Sequence, residues 1–287
     1  MTASLSEIIE LDQLDINLFR SKHHRENFRK TLFGGQVLCQ ALAAASATVP
    51  DRWPHSLHAY FLRPGSSDIP VIYDVEFVRD GKSISSRRVV ARQFGKTILN
   101  MAVSFQIDEE GFQHAARPPD VATPEELLQT RKASEYQPDA AAKTRKEDEH
   151  SSPFDIIPVE EFLYTSKEPS SPDARIWLKS NESLSDDPLV HLCALTFASD
   201  LGLLATSLLP HDATIFDPDL ITASIDHAMW FHAHDFRADD WLLCSTHSPW
   251  AGNARGFSSG QIFDRSGRLV ISTAQEGLIR RISEPKL

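Results

Sequence analysis

His58-Ala59-Tyr60-Phe61 has a near copy 169 positions downstream, His227-Ala228-Met229-Trp230, and both stand in apolar, aromatic runs of strand-forming residues. A second pair of stretches lies at almost the same distance. Ser86-Arg87 through Ser104-Phe105-Gln106 resembles Ala254-Arg255 through Thr273-Ala274-Gln275, with shifts of 168 for Arg87 to Arg255 and 169 for Gln106 to Gln275. The one added residue falls in a turn, where Phe94-Gly95-Lys96-Thr97 faces Phe263-Asp264-Arg265-Ser266-Gly267. Two matches in register, with the length change at a glycine-bearing hairpin connection, indicate one structural unit used twice.

Working outward, each copy has the same order of elements. Gly34-Gly35-Gln36 opens an Ala- and Leu-rich stretch, 37–49, stopped by Pro50-Asp51, which reads as a buried helix. Strands are expected over 56–63, 70–79, 83–94 and 97–107. In the second copy, 188–209 reads as one long apolar helix ended by Pro210, with strands near 223–231, 241–248, 256–263 and 269–276. A helix too apolar for water, followed by consecutive antiparallel strands, predicts an α+β fold in which a curved sheet wraps each helix. The units are expected at 1–114 and 173–287. Between them, 115–172 is rich in Pro, Ser, Lys and Glu and reads as a linker, helical over 124–132 and mobile around the mixed-charge run 143–149.

The chain's 287 residues are 41% hydrophobic, which excludes a disordered protein and suffices for two domains of about 100–150 residues. Its 29 Lys+Arg against 40 Asp+Glu give a net charge of −11, which argues against a nucleic-acid partner. No apolar run is read as reaching the roughly 18 residues that span a bilayer, and the first twenty residues alternate Ile/Leu with Glu/Asp, unlike a secretory leader. Cys39, Cys193 and Cys244 are odd in number, far apart and in apolar contexts, as reduced, packed thiols are; an apolar helix face accounts for Cys39 better than a nucleophile does.

Several strings imitate known sites. Gly256-Phe257-Ser258-Ser259-Gly260 matches G-x-S-x-G, but Gln261-Ile262-Phe263 continues a strand where a nucleophile elbow needs a helix. Gly81-Lys82-Ser83 lacks the first glycine of a phosphate loop, because Glu76 stands in that place. His55 with His58, or His232 with His234, has no carboxylate or Cys at ligand spacing, so no metal is expected.

What remains is a set of polar residues in apolar surroundings. Asp200 is read as lying inside the second helix, Ser224 precedes Ile225-Asp226-His227, and Gln275 lies late in the last strand. A buried carboxylate is costly unless partnered, so Asp200 marks either a site or a satisfied structural bond. With a hydroxyl and an amide opposite, such a carboxylate can hold and deprotonate one water.

Phe33-Gly34-Gly35-Gln36, His58-Ala59-Tyr60-Phe61-Leu62-Arg63-Pro64-Gly65, Tyr73-Asp74-Val75-Glu76 with Arg79-Asp80-Gly81, and Ser224-Ile225-Asp226-His227-Ala228-Met229-Trp230-Phe231-His232 together closely resemble the type II acyl-CoA thioesterase family, nearly end to end. The resemblance implies a double hotdog, two tandem units that each wrap a long helix in an antiparallel sheet. It implies hydrolysis of fatty acyl-CoA of broad chain length, without metal or cofactor. The family's water-activating trio falls on Asp200, Ser224 and Gln275, with Ser224 keeping the hydroxyl of a more usual Thr. In the first copy Gln106 matches Gln275 but His55 stands at the Ser224 position, so that unit is expected to have no site of its own. Arg63, Arg87 and Arg255 are candidates for the CoA phosphates, and backbone N–H groups near a glycine-bearing helix start for the oxyanion. A hydratase on the same thioesters, or a non-catalytic acyl-CoA-binding module, are the rival readings. By family analogy a homodimer or higher homo-oligomer is expected. The C-terminal Pro285-Lys286-Leu287 shares only Lys-Leu with a peroxisomal address, so a cytoplasmic enzyme is preferred to a peroxisomal one.

Overall fold

In the computed structural model, which describes residues 3–25, 31–130, 152–161 and 163–282, each half of the chain runs from a β-hairpin through a helix into antiparallel strands. After the short α1 (Leu5–Ile9), the first half comprises β1 (Leu11–Asp15), β2 (Leu18–Ser21), α2 (Gly34–Ser46), β3 (Trp53–Phe61), β4 (Ile72–Asp80), β5 (Ile84–Gln93) and β6 (Lys96–Gln106). Then come α3 (Pro124–Thr130), β7 (Phe154–Pro158), β8 (Asp173–Ser180), α4 (Pro188–Ala198) and α5 (Leu203–Thr206). The chain closes with β9 (Leu220–Ser224), β10 (Asp226–Phe231), β11 (Leu242–Gly252), β12 (Arg255–Phe263) and β13 (Leu269–Arg281).

The strands form one sheet in the order β1-β2-β4-β5-β6-β3-β10-β13-β12-β11-β8-β7, with β9 beside β13. From either end the order passes through corresponding strands and meets at the β3–β10 pair, where Leu57 lies opposite Met229. This is the α+β double hotdog. α2 and α4 pack antiparallel inside it: Phe33 at the start of α2 meets Phe197 at the end of α4, with ring centroids 4.9 Å apart. Leu38, Leu42, Leu192 and Leu195 are fully buried, and cutting any one to Ala would cost about 2–5 kcal/mol. α4 starts cleanly because Asp187 accepts from Leu189 N–H at 2.9 Å and Pro188 occupies the first turn.

The second helix differs from the expectation. α4 ends at Ala198, and Gly202 takes a left-handed φ of 84° before α5 begins, so Asp200 lies in the turn between two helices and not inside one. The 19 residues Pro188–Thr206, of mean hydropathy 1.6, are long and apolar enough to cross a membrane, contrary to the sequence reading; 67% buried, they are core helix here. Residues 115–172, expected as linker, contribute β7, paired with β8, and α3, whose Leu127 packs with Ile157, Trp177, Leu243 and Phe263. The run 143–149 and Pro285-Lys286-Leu287 lie outside the described residues.

The repeat offset also needs correction. Side chains alternate between the two faces of a strand, so matching letters in two strands need not share a face. His58 and Tyr60 are exposed, whereas His227 and Met229, 169 positions on, are buried. Gln106 likewise reaches out to Glu109, whereas Gln275 is buried. The inward residues of β3 and β6 are instead Leu57, Ala59, Met101, Val103 and Phe105. The halves repeat in architecture, but Gln106 does not take the inward place of Gln275.

Candidate active site

β9 and β10 are one strand interrupted by a bulge. Ser224 pairs with Gly277 on β13, while Ala228 pairs with Ala274, so the β9–β10 side carries one extra residue between those pairs. The bulge changes which residues face the helices: Ser224 faces in, and so do His227, Met229 and Phe231. In a regular strand, residues three apart point to opposite faces. Here Ser224 and His227 both turn toward Gln275. The Gln275 Nε2 donates to Asp200 Oδ1 at 2.7 Å and lies 2.9 Å from Ser224 Oγ, and Ser224 Oγ donates to the same carboxylate oxygen at 3.2 Å. The three residues singled out in the sequence are thus in mutual hydrogen-bonding contact.

Asp200 reaches this point because the end of α4 abuts the start of α2. A Cβ on Gly35 would lie 2.2 Å from the Phe197 carbonyl oxygen, and one on Gly34 would lie 2.6 Å from Asp200 Oδ2, so the two glycines make the approach possible. Gly35 N–H donates to the Asp200 carboxylate. Phe33, the N-cap, offers no side-chain acceptor, so Asp200 serves the helix start in its place. The start of α2, in the first half of the chain, therefore forms one wall of this cluster. Burial pushes the Asp200 pKa up to about 6, held back by the bonds from Gln275, Ser224 and Gly35. A carboxylate with that pKa is poised to accept a proton near neutrality.

His227 was read only as part of the repeat. It is buried, and burial brings its pKa down to about 3, so it is neutral. Its Nε2 lies 2.9 Å from Ser199 Oγ and its Nδ1 3.2 Å from Gln275 Nε2. The signal in the sequence was a histidine in phase with Met229 and Phe231 on an apolar strand face. For Gly34 and Gly35 it was a helix that opens without Ser, Thr, Asp or Asn at its cap.

The arginine candidates separate. Arg87 is 3% exposed, pairs with Asp80 at 2.9 Å, and donates to Thr48 Oγ1 and to the Arg79 carbonyl; it is a structural cation, not a free phosphate ligand. Arg255 pairs with Glu276 at 3.1 Å. Arg63 is exposed, donates to Thr97 O, and stands two residues beyond Phe61, whose ring lies against Gly34. Ser258 is buried within β12 with no turn at it, and burial pushes the Cys39 thiol pKa far up, which leaves it a poor nucleophile. His234 stacks on Trp53 and reaches Asp108, while His232 reaches Ser272.

Comparison with known proteins agrees with this architecture. The family described as acyl-CoA thioesterase N-terminal domain matches residues 24–106, and the acyl-CoA thioesterase C-terminal domain matches residues 124–279. Acyl-coenzyme A thioesterase 8 of Mus musculus is 37% identical, over 99% of this chain and 92% of its own. Acyl-CoA thioesterase 2 of Haemophilus influenzae is 35% identical over 96% of this chain and 97% of its own. The crystal structure of an acyl-CoA thioesterase II, TesB2, from Mycobacterium marinum superposes with a TM-score of 0.79 at 36% identity, covering 99% of both chains. With both halves matched and relatives of this identity along nearly its whole length, the chain belongs to the type II acyl-CoA thioesterase family.

Proposed function

We propose that this enzyme hydrolyses fatty acyl-CoA thioesters to free acid and CoA, with Asp200 as general base and Ser224 and Gln275 orienting the attacking water. The observation that carries this reading is the convergence of a half-buried carboxylate of pKa about 6, a hydroxyl and an amide beside the uncapped start of α2. Water bound against Asp200 gives up a proton to the carboxylate as its oxygen attacks the thioester carbon. Negative charge then develops on the carbonyl oxygen, and the positive end of α2 stabilises it, while the Gly35 N–H stays with Asp200. Collapse of the tetrahedral intermediate breaks the C–S bond, and Asp200 returns its proton to the departing thiolate.

On this reading the unit 173–287 carries the trio and the unit 1–114 supplies the α2 wall, while Arg63 at the mouth meets CoA phosphate. A broad acyl chain-length range, a homo-oligomer and a cytoplasmic location complete the proposal. The test is Asp200→Asn, assayed by release of free thiol from acyl-CoA over a series of chain lengths. Turnover should fall by about 10³-fold or more with the fold intact; turnover within a few fold of wild type would overturn the role of Asp200.

A further inference from the structure

We infer that His227 is a positioning residue for this reaction, holding the Gln275 amide with its NH2 group toward Asp200. The inference rests on the roles proposed above for Asp200 and Gln275. The argument begins at Ser199, whose hydroxyl proton has acceptors in the Thr196 carbonyl at 2.9 Å and Met229 Sδ at 3.3 Å. Toward His227 the Ser199 oxygen is then an acceptor, so His227 Nε2 carries the ring proton and Nδ1 presents a lone pair. Only the NH2 end of Gln275 can bond to that lone pair, and its Nε2 lies 3.2 Å away. Its second proton goes to Asp200 Oδ1 at 2.7 Å, while Ser224 Oγ, 2.9 Å from the same nitrogen, spends its own proton on that carboxylate.

Turned the other way, Gln275 would set its Oε1 against a carboxylate oxygen and against the ring lone pair, acceptor against acceptor in both cases. No bond at the far end of the amide opposes such a turn, because Gln275 Oε1 is buried without a hydrogen-bond partner among the described residues. Burial alone keeps the ring neutral, so the lone pair persists across the working pH range. The inward-facing residues Leu57 and Ala59 of β3 show that the fold accepts apolar side chains facing the helices in the equivalent strand. The imidazole thus answers a need of the site and not of the fold.

His227→Leu fills the space and removes the acceptor. In a thiol-release assay kcat should fall about 10–100-fold with KM within twofold. The acid limb of kcat/KM should move up by about 0.5–1 unit, because Asp200 loses a donor that stabilises its ionised form. The double variant with Gln275→Ala should then fall no further than Gln275→Ala alone. His227→Asn, whose amide oxygen sits near Nδ1, should recover activity, whereas His227→Gln, which mimics Nε2, should not; this pair carries the test if the Leu variant does not fold. An unmoved acid limb with wild-type kcat, losses that multiply with Gln275→Ala, or equal activity of the Asn and Gln variants would overturn the inference. Asp200→Asn run in parallel separates the two failures. If it hydrolyses normally, the reading of Asp200 falls; if it is inactive while His227→Leu is normal, only the role of His227 falls.

Discussion

Gly34→Ala tests whether the half of the chain without the trio is part of the active site. The new Cβ would stand 2.6 Å from Asp200 Oδ2 and 3.1 Å from the Phe61 ring. Ordinary van der Waals contact begins near 3.4 Å, so the carboxylate oxygen must retreat by about 0.8 Å. For the fold this is cheap, since a side-chain tip swings more easily than backbone, and replacing Gly by Ala in a helix returns about 0.5–1 kcal/mol. For the chemistry it is expensive, because that tip is the proposed base, and its other oxygen is held by Gln275 at 2.7 Å. A misplacement approaching 1 Å costs up to about 100-fold, so kcat should drop about 10–100-fold while the unfolding free energy stays within about 1 kcal/mol. The assay is thiol release from acyl-CoA, read with a chromogenic disulfide, beside urea unfolding. Gly111→Ala is the control, since a Cβ there meets no atom within 4 Å. A folded Gly34→Ala enzyme with kcat within twofold of wild type would refute the reasoning.

The two donors to Asp200 are unequal, so Gln275→Ala should lower kcat more than Ser224→Ala, by about 100-fold against about 10-fold, in the same steady-state assay; the bonds are 2.7 and 3.2 Å. Asp200 also makes a pH prediction with a sign opposite to that of a salt-bridged carboxylate. Its pKa rises from about 3.9 unfolded to about 6 folded, so the folded state binds the extra proton and loses up to about 3 kcal/mol as pH climbs from 4 to 6. Asp200→Asn should therefore gain stability over wild type between those values and hold the gain above pH 7, as urea unfolding at several pH values would show; a difference that does not change with pH would contradict it. Arg87→Met should lose about 2–3 kcal/mol by thermal or urea unfolding, because it strips several buried hydrogen bonds, yet leave KM for acyl-CoA unchanged; a raised KM would restore Arg87 as a CoA ligand.

Periodicity and turn chemistry made the strands legible: the stretch 97–107 became β6 (Lys96–Gln106), and 256–263 became β12 (Arg255–Phe263). The trio was legible mainly through resemblance, since composition leaves a lone Asp in an apolar run ambiguous between site and structural bond. Two features that build the site left weaker traces. One is the break after Ala198, because Ser199-Asp200-Leu201-Gly202 interrupts an apolar run with only one strong breaker, and the left-handed Gly202 is fixed by tertiary packing against Tyr164.

The other is the bulge after Ser224, which a comparison of strings does not show. A string comparison aligns residue types, whereas a sheet aligns faces, and the two need not agree. His58 and His227 match as letters and point to opposite faces. Had the fold kept β9 and β10 in one unbroken alternation, Ser224 and His227 could not both have faced Gln275, and the site would lack either its hydroxyl or its imidazole. The irregularity that strand propensity could not predict is what brings a hydroxyl, an amide and a carboxylate to one point at the start of the other half's helix.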